Sequence, residues 1–223
     1  MATQLVIFDC DGVLIDSEII SAEMLVRELK AQGLAIDLDY VARHFLGRSY
    51  PVVMETIRRE FGLDLPPEFE ARYRETLLEA FRRELKIMPG VREVMEGLRV
   101  PFCVATSSSP RRAAFSLRLV GLDGLVGDRL FTASEVSRGK PAPDLFQHAA
   151  AKMGVAPAAC LVIEDSLTGV RAGLAAEMSV WRFTGGSHLI GRDTPEPEDA
   201  RPHARFASFA AFANMAPELM RQP

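Results

Sequence analysis

Five short apolar runs, each followed by a stretch of helical spacing, constrain this chain more than any other feature. They lie at residues 5–8, 102–105, 130–131, 160–163 and 179–183. Their apolarity is continuous rather than alternating, which suits strands covered on both faces, as in a parallel sheet. Between them, apolar residues recur at helical intervals: Val91, Val94, Met95 and Leu98; Ala113, Leu117 and Val120; Leu145, Ala149 and Met153. Strand and helix in alternation predict an α/β fold with a doubly wound parallel-sheet core.

One interval breaks the rhythm. Between Asp16 and Lys86 there is no buried-strand pattern, only helical spacing near 17–33, 38–45, 50–62 and 67–84. Gly33, Gly47, Gly62 and Pro66-Pro67 punctuate these stretches. The expectation is an inserted α-helical cap domain at 16–87, with the core formed by 1–15 and 88–223. Met88-Pro89-Gly90 marks the return to the core; the plainer alternative is that these helices pack directly on the sheet. The acidic, proline-rich stretch 193–202 reads as an exposed loop before a short C-terminal helix.

Composition narrows the function. With 26 Lys plus Arg against 30 Asp plus Glu, the chain is not built to take nucleic acid as its main partner, although a local basic cluster can hold a small anion. No apolar run approaches the roughly 18 residues of a membrane span. The first residues carry no basic segment or cleavage site, so a cytoplasmic location is expected. Cys10, Cys103 and Cys160 lie in or beside apolar runs without a CxxC pair or a nearby histidine, and read as reduced core thiols. A monomer is the default expectation.

The chemistry is concentrated where apolar runs end. Phe8-Asp9-Cys10-Asp11-Gly12-Val13 delivers two carboxylates two residues apart, then a glycine that lets the chain turn. Residues i and i+2 of an extended segment point the same way, so Asp9 and Asp11 can share a site, and a hard cation relieves their repulsion. Alone, such a pair is also what an exposed turn looks like. The run at 102–105 ends in Thr106-Ser107-Ser108-Ser109, whose hydroxyls and amides suit phosphoryl oxygens. Lys140 lies between Gly139 and Pro141, on a constrained loop just before a helical pattern. The run at 160–163 ends in Glu164-Asp165-Ser166. A helix N-cap explains one of those residues but not two acids emerging from an apolar strand. The conjunction of acid pair, hydroxyl, lysine and acid pair is the strong signal.

With these residues in order, the sequence resembles the haloacid dehalogenase (HAD) superfamily, in particular its subfamily I with a C1-type helical cap and Rossmann-like core. The matching motifs are Asp9-x-Asp11-Gly12-Val13, Thr106 in Ala-Thr-Ser-Ser, Lys140 in Gly-Lys-Pro, and Glu164-Asp165. The resemblance implies that Asp9 is a nucleophile forming an aspartyl-phosphate and Asp11 the general acid/base. It implies that Thr106, Ser107 and Lys140 bind the phosphoryl group. Mg²⁺ would be held by Asp9, Asp165, Glu164 and the backbone carbonyl of Asp11.

Within the superfamily, Asp11 argues against dehalogenation, since dehalogenases normally lack the second aspartate. A phosphonatase would carry a cap lysine close behind the first motif, and 17–24 has none. In a β-phosphoglucomutase the cap carries a histidine that aligns with Ser21 here. A non-catalytic binding module would not need all four motifs. The stretch through Asp16-Ser17-Glu18, with Phe45-Leu46-Gly47-Arg48 and Phe183-Thr184-Gly185-Gly186-Ser187-His188, resembles the branch of 6-phosphogluconate and related sugar-phosphate phosphatases. Phosphoglycolate phosphatases share Asp-Ser-Glu. The expected partner is therefore a small phosphorylated metabolite, a sugar or sugar-acid phosphate. Gly47 and Arg48 fall where a substrate-specificity loop is expected, with Arg43, His44 and Tyr50 nearby. Arg48 suits a carboxylated or doubly charged substrate as readily as it suits plain solvent. Arg72 and Arg74 lie two apart and cannot share one helical face. His188 reads as a surface residue.

Overall fold

The computed structural model describes residues 2–45, 48, 50–192 and 195–221. β1 (Leu5–Phe8) is buried at every position, as a strand covered on both faces must be. Its side chains alternate between two apolar layers: Val6 and Phe8 join one, Leu5 and Ile7 the other. After β1 come four helices, α1 (Glu18–Ala31), α2 (Leu38–His44), α3 (Tyr50–Phe61) and α4 (Phe69–Glu84), then α5 (Val91–Gly97). The chain continues through β2 (Phe102–Thr106), α6 (Pro110–Leu119), α7 (Asp123–Val126), β3 (Leu130–Thr132) and α8 (Asp144–Lys152). It ends with β4 (Cys160–Glu164), α9 (Leu167–Ala175), β5 (Ser179–Phe183), β6 (Ala204–Phe206) and α10 (Phe209–Met215).

The six strands form one sheet in the order β3-β2-β1-β4-β5-β6, every pairing parallel. This is the doubly wound α/β arrangement that the apolar runs predict. Helices α5 and α10 cover one face, with Val91, Val94, Phe209 and Phe212 packed on Val6 and Phe8. Helices α8 and α9 cover the other, where Leu145, Phe146 and Val170 meet Leu5, Ile7 and Val162. The three cysteines are buried and unpaired within these layers.

Helices α1 to α4 bury their apolar faces against one another in a third cluster that includes Leu29, Ile57, Phe69, Leu77 and Phe81. Phe81 is fully buried there, so truncating it to alanine would cost about 3–5 kcal/mol. Phe115 of α6 packs against this cluster from the core. The chain leaves and re-enters the sheet region along one narrow crossing. Ile15 bridges Ile87, the Asp16 amide donates to the Lys86 carbonyl at 2.9 Å, and the Met88 amide donates to Leu14 at 2.9 Å.

Two expectations need correction. Strand β6 carries no apolar run, because it is a three-residue edge strand whose middle residue, Arg205, is exposed. The segment expected as an exposed loop at 193–202 is partly buried: Ala200 is inaccessible, and Glu196 accepts from Arg182 at 2.9 Å and Arg205 at 2.7 Å. The cause is Arg182, a charge buried within β5 that requires a counter-charge brought from outside the strand. Residues 193 and 194 lie outside the described residues.

Candidate active site

The strand order reverses direction at β1: the chain winds outward to β2 and β3, then returns to the other side for β4, β5 and β6. Ligands bind open α/β sheets at that switch point, beyond the carboxyl ends of the strands. Asp9 follows β1, Thr106 ends β2, and Glu164-Asp165 ends β4, so three adjacent strands deliver three of the predicted motifs to one place. After Asp9 the chain turns sharply, with the Leu14 amide donating to the Cys10 carbonyl at 2.9 Å. Gly12 sits in this turn at φ +77°, and a Cβ there would lie 2.1 Å from Asp165 Oδ2, so both backbone and space demand glycine.

Lys140 arrives from the loop between β3 and α8. Its ammonium donates to Asp9 Oδ1 at 2.6 Å, to Glu164 Oε1 at 2.8 Å and to the Ala105 carbonyl at 3.1 Å. Burial alone would lower the lysine's pKa, but the Asp9 and Glu164 carboxylates outweigh it and hold the group cationic. Glu164 also accepts from the Ser166 amide at 2.8 Å and hydroxyl at 3.0 Å. A Cβ at Gly169 would lie 1.7 Å from Glu164 Oε1, which explains the glycine in the first turn of α9.

Asp9, Glu164 and Asp165 are all buried and can each offer an oxygen within 4.8 Å of the others. Burial first, then the neighbouring carboxylates, push Asp9 well above the ordinary aspartate range against the pull of Lys140. Burial and Glu164 likewise raise Asp165. Three buried carboxylates share a single ammonium, a surplus of acidic groups over cationic ones. An all-oxygen set with that surplus fits a hard divalent cation.

Asp11 is placed differently. Its Oδ1 accepts from the Ser17 hydroxyl at 2.6 Å and from Arg112 at 2.7 Å. Its Oδ2 accepts from Ser108 at 2.6 Å and, more weakly, from Thr106 at 3.4 Å. Burial pushes its pKa up, but Arg112 and the serine hydroxyls outweigh burial and hold it below the usual value. The Asp11 carboxylate thus stands apart from the three-acid cluster. Thr106 is buried and accepts from the Ser108 amide at 3.1 Å, while Ser107 lines the cavity beside it.

Arg112 is the residue that sequence reasoning missed. Ser109 caps α6 by accepting from the Arg112 amide at 3.4 Å, which puts Arg112 in the first turn, facing Asp11. Its neighbour Arg111 points outward to Glu75. Arg112 also donates to Ser21 of α1 at 3.1 Å and lies over the Phe81 ring of α4 at 5.2 Å. The available signal was its place three residues after the capping serine, in the first turn of the helix that follows Thr106. Glu18, in the first turn of α1, is a second omission: burial and the nearby Asp11 raise its pKa to about 7. His188, expected at the surface, is instead buried, with Nε2 2.8 Å from Asp165 Oδ2. A tertiary approach from the loop after β5 put it there, which a one-chain pattern does not register.

Above these groups lies a cavity of about 730 Å³, a size suited to a small metabolite. Its floor is the strand-end cluster, and its far wall carries Arg48, Tyr50, Tyr73 and Arg74 from the helical layer. Arg48 is exposed at the rim, and Gly47 lies outside the described residues. Arg74, set aside on spacing grounds, lines the cavity but is held by Glu70 at 2.5 Å.

The haloacid dehalogenase-like hydrolase family model matches residues 3–177, and the chain belongs to that family. Its curated relatives include the 6-phosphogluconate phosphatase of Escherichia coli K12, 30% identical over 184 residues, 82% of this chain and 83% of that protein. Another is the phosphorylated carbohydrates phosphatase of Thermotoga maritima, 32% identical over 192 residues, 83% of this chain and 86% of that protein. Within the family, this chain is accordingly an enzyme of the phosphatase kind. A solved HAD family hydrolase from Deinococcus radiodurans R1, with bound phosphate and sodium, superposes with a TM-score of 0.76 at 32% identity, covering 99% of each chain.

Proposed function

We propose that this chain is a cytoplasmic, monomeric, Mg²⁺-dependent phosphatase that hydrolyses a small sugar or sugar-acid phosphate through an aspartyl-phosphate on Asp9. The observation that carries this reading is Lys140 bonded at once to Asp9 and Glu164, beside a three-carboxylate cluster at the sheet's switch point. The relatives named for 6-phosphogluconate and phosphorylated carbohydrates support the substrate class. Buried unpaired thiols agree with a reducing compartment.

Asp9, Glu164 and Asp165 would hold the cation, with the Asp11 carbonyl as a further ligand. The bound ion would supply positive charge to the phosphoryl oxygens, which otherwise repel a carboxylate nucleophile. Thr106, Ser107 and Lys140 receive the phosphoryl group; Lys140 also keeps Asp9 oriented. The Asp9 oxygen attacks phosphorus, the bond to the leaving oxygen breaks, and Asp11, which takes up a proton once substrate displaces its donor partners, gives that oxygen the proton. Asp11 then takes a proton from water, whose oxygen attacks the same phosphorus and releases Asp9. Arg112, Ser17 and Ser108 hold Asp11 to one side of Asp9 until a substrate competes for those bonds.

Residues 16–87 serve in this reading as the cap that closes over the floor, and Gly47 and Arg48 contribute to leaving-group recognition. Release of inorganic phosphate from a panel of sugar phosphates, 6-phosphogluconate and phosphoglycolate tests it. Turnover of at least one member, stopped by EDTA and restored by Mg²⁺, is expected. Isomerisation of β-glucose 1-phosphate without phosphate release would favour a mutase instead.

A further inference from the structure

After β5 the chain runs Thr184-Gly185-Gly186-Ser187-His188, and two consecutive side chains of this loop do different work. Ser187 donates to Asp16 Oδ1 through both its amide, at 3.1 Å, and its hydroxyl, at 2.8 Å. Asp16 is the residue whose amide bonds Lys86, so Ser187 fastens the loop to the crossing that joins the helical layer to the sheet. The next residue reaches inward: the His188 ring is 4% exposed and meets the 5% exposed Asp165 carboxylate at 2.8 Å.

The surroundings are shaped to this contact. A Cβ on Gly186 would lie 2.6 Å from His188 Cε1 and 2.8 Å from Nδ1. A Cβ on Gly12 would lie 2.9 Å from His188 Cε1 and 2.1 Å from Asp165 Oδ2. Two glycines therefore leave room for one imidazole–carboxylate pair. Among the described residues, His188 Nδ1 is buried without a hydrogen-bond partner, while Nε2 lies 2.8 Å from Asp165 Oδ2.

We infer that His188 is a positioning residue for the divalent-cation site, holding the Asp165 carboxylate in its ligating orientation while Ser187 anchors the loop to Asp16. The inference rests on the reading that Asp9, Glu164 and Asp165 hold the cation. His188 touches neither substrate nor phosphoryl group; it acts through Asp165. Partners that orient metal ligands usually change metal affinity by about 10- to 100-fold when removed.

Calorimetric titration of metal-free protein with Mg²⁺, without substrate, reads this directly. His188→Ala is expected to bind Mg²⁺ about 10- to 100-fold more weakly than the parent. His188→Gln, which can still donate to Asp165, is expected to recover part of that loss. Ser187→Ala should weaken binding about threefold, the size of one hydrogen bond. At saturating Mg²⁺, His188→Ala should regain most of the parental kcat with KM unchanged. Melting in EDTA checks that each variant is folded, and His188→Leu, which fills the pocket but cannot donate to Asp165, carries the test if the alanine variant is not. Mg²⁺ binding within twofold of the parent in a folded His188→Ala or His188→Leu overturns the inference. Failure of the parent itself to bind Mg²⁺ instead overturns the cation reading beneath it.

Discussion

The floor and the far wall of the cavity are built on opposite plans. On the floor, Asp9, Asp11, Lys140, Glu164 and Asp165 are buried, and each is held by named partners at 2.6–2.8 Å. On the wall, Arg48 is exposed at the rim and Arg74 is 40% exposed, its charge already shared with Glu70. A buried charge is tolerated only with complete pairing, so the floor tolerates little change without losing fold or chemistry. The wall's two arginines stay solvated, so their identities can change at small energetic cost. On the proposed reading, the sheet would fix the chemistry and the helices would choose the leaving group.

Four experiments break or sharpen this contrast. Asp9→Asn should abolish phosphate release, a loss on the order of 10⁴-fold or more, while circular dichroism stays that of a folded protein. Residual activity near the parent would remove Asp9 from the nucleophile role. Arg112→Gln, which leaves Asp11 without its strongest partner, should lower kcat by roughly 100-fold and KM much less, as expected for a misplaced proton donor. An effect confined to KM would make Arg112 a substrate contact instead. Arg48→Ala should raise KM about tenfold for a doubly charged substrate and leave kcat within a factor of two; equal KM values would take Arg48 out of recognition.

The smallest effect concerns Glu18. Its folded pKa is raised to about 7 from an ordinary 4.5, so between those values the folded protein binds more protons than the unfolded chain. The group's contribution is therefore present below pH 4.5, falls as pH rises, and is fully lost above about 7. Glu18→Gln should gain a few degrees in Tm over the parent at pH 8 and almost nothing at pH 4.5, about 1 kcal/mol being worth roughly 2–4 °C at this size. A gain equal at both values would show that Glu18 is not held in its raised state.

The parts legible in the sequence are those where one local rule dominates. A strand buried on both faces must be apolar throughout, and so Leu5–Phe8, Phe102–Thr106 and Cys160–Glu164 announced themselves. An acid or hydroxyl ending such a run has nowhere to be except the carboxyl edge of the sheet, which made Asp9, Thr106 and Glu164-Asp165 readable. Arg112 and His188 were not, because each reaches the site from a different element and is fixed only by what it meets there. Ala204–Phe206 was missed for another reason: an edge strand needs no buried second face and leaves no apolar signature. The pairing of Glu196 with Arg182 answers a charge on another element, 14 residues back, and local composition suggested only a loop.

The central place of β1 also governs when the enzyme can exist. Val6 pairs with Phe102 on one side and Leu161 on the other, so its bonding partners lie about a hundred and more residues downstream. During ribosomal synthesis Asp9 is therefore made long before anything can hold it. Meanwhile the four helices that follow have contacts mostly of their own, short in sequence span and quick to form. A ribosome halted before β4 carries a nascent chain with no phosphatase activity, whatever its helices have done. Activity then appears late, as one event, when β4 closes against a strand made on the order of 150 residues earlier.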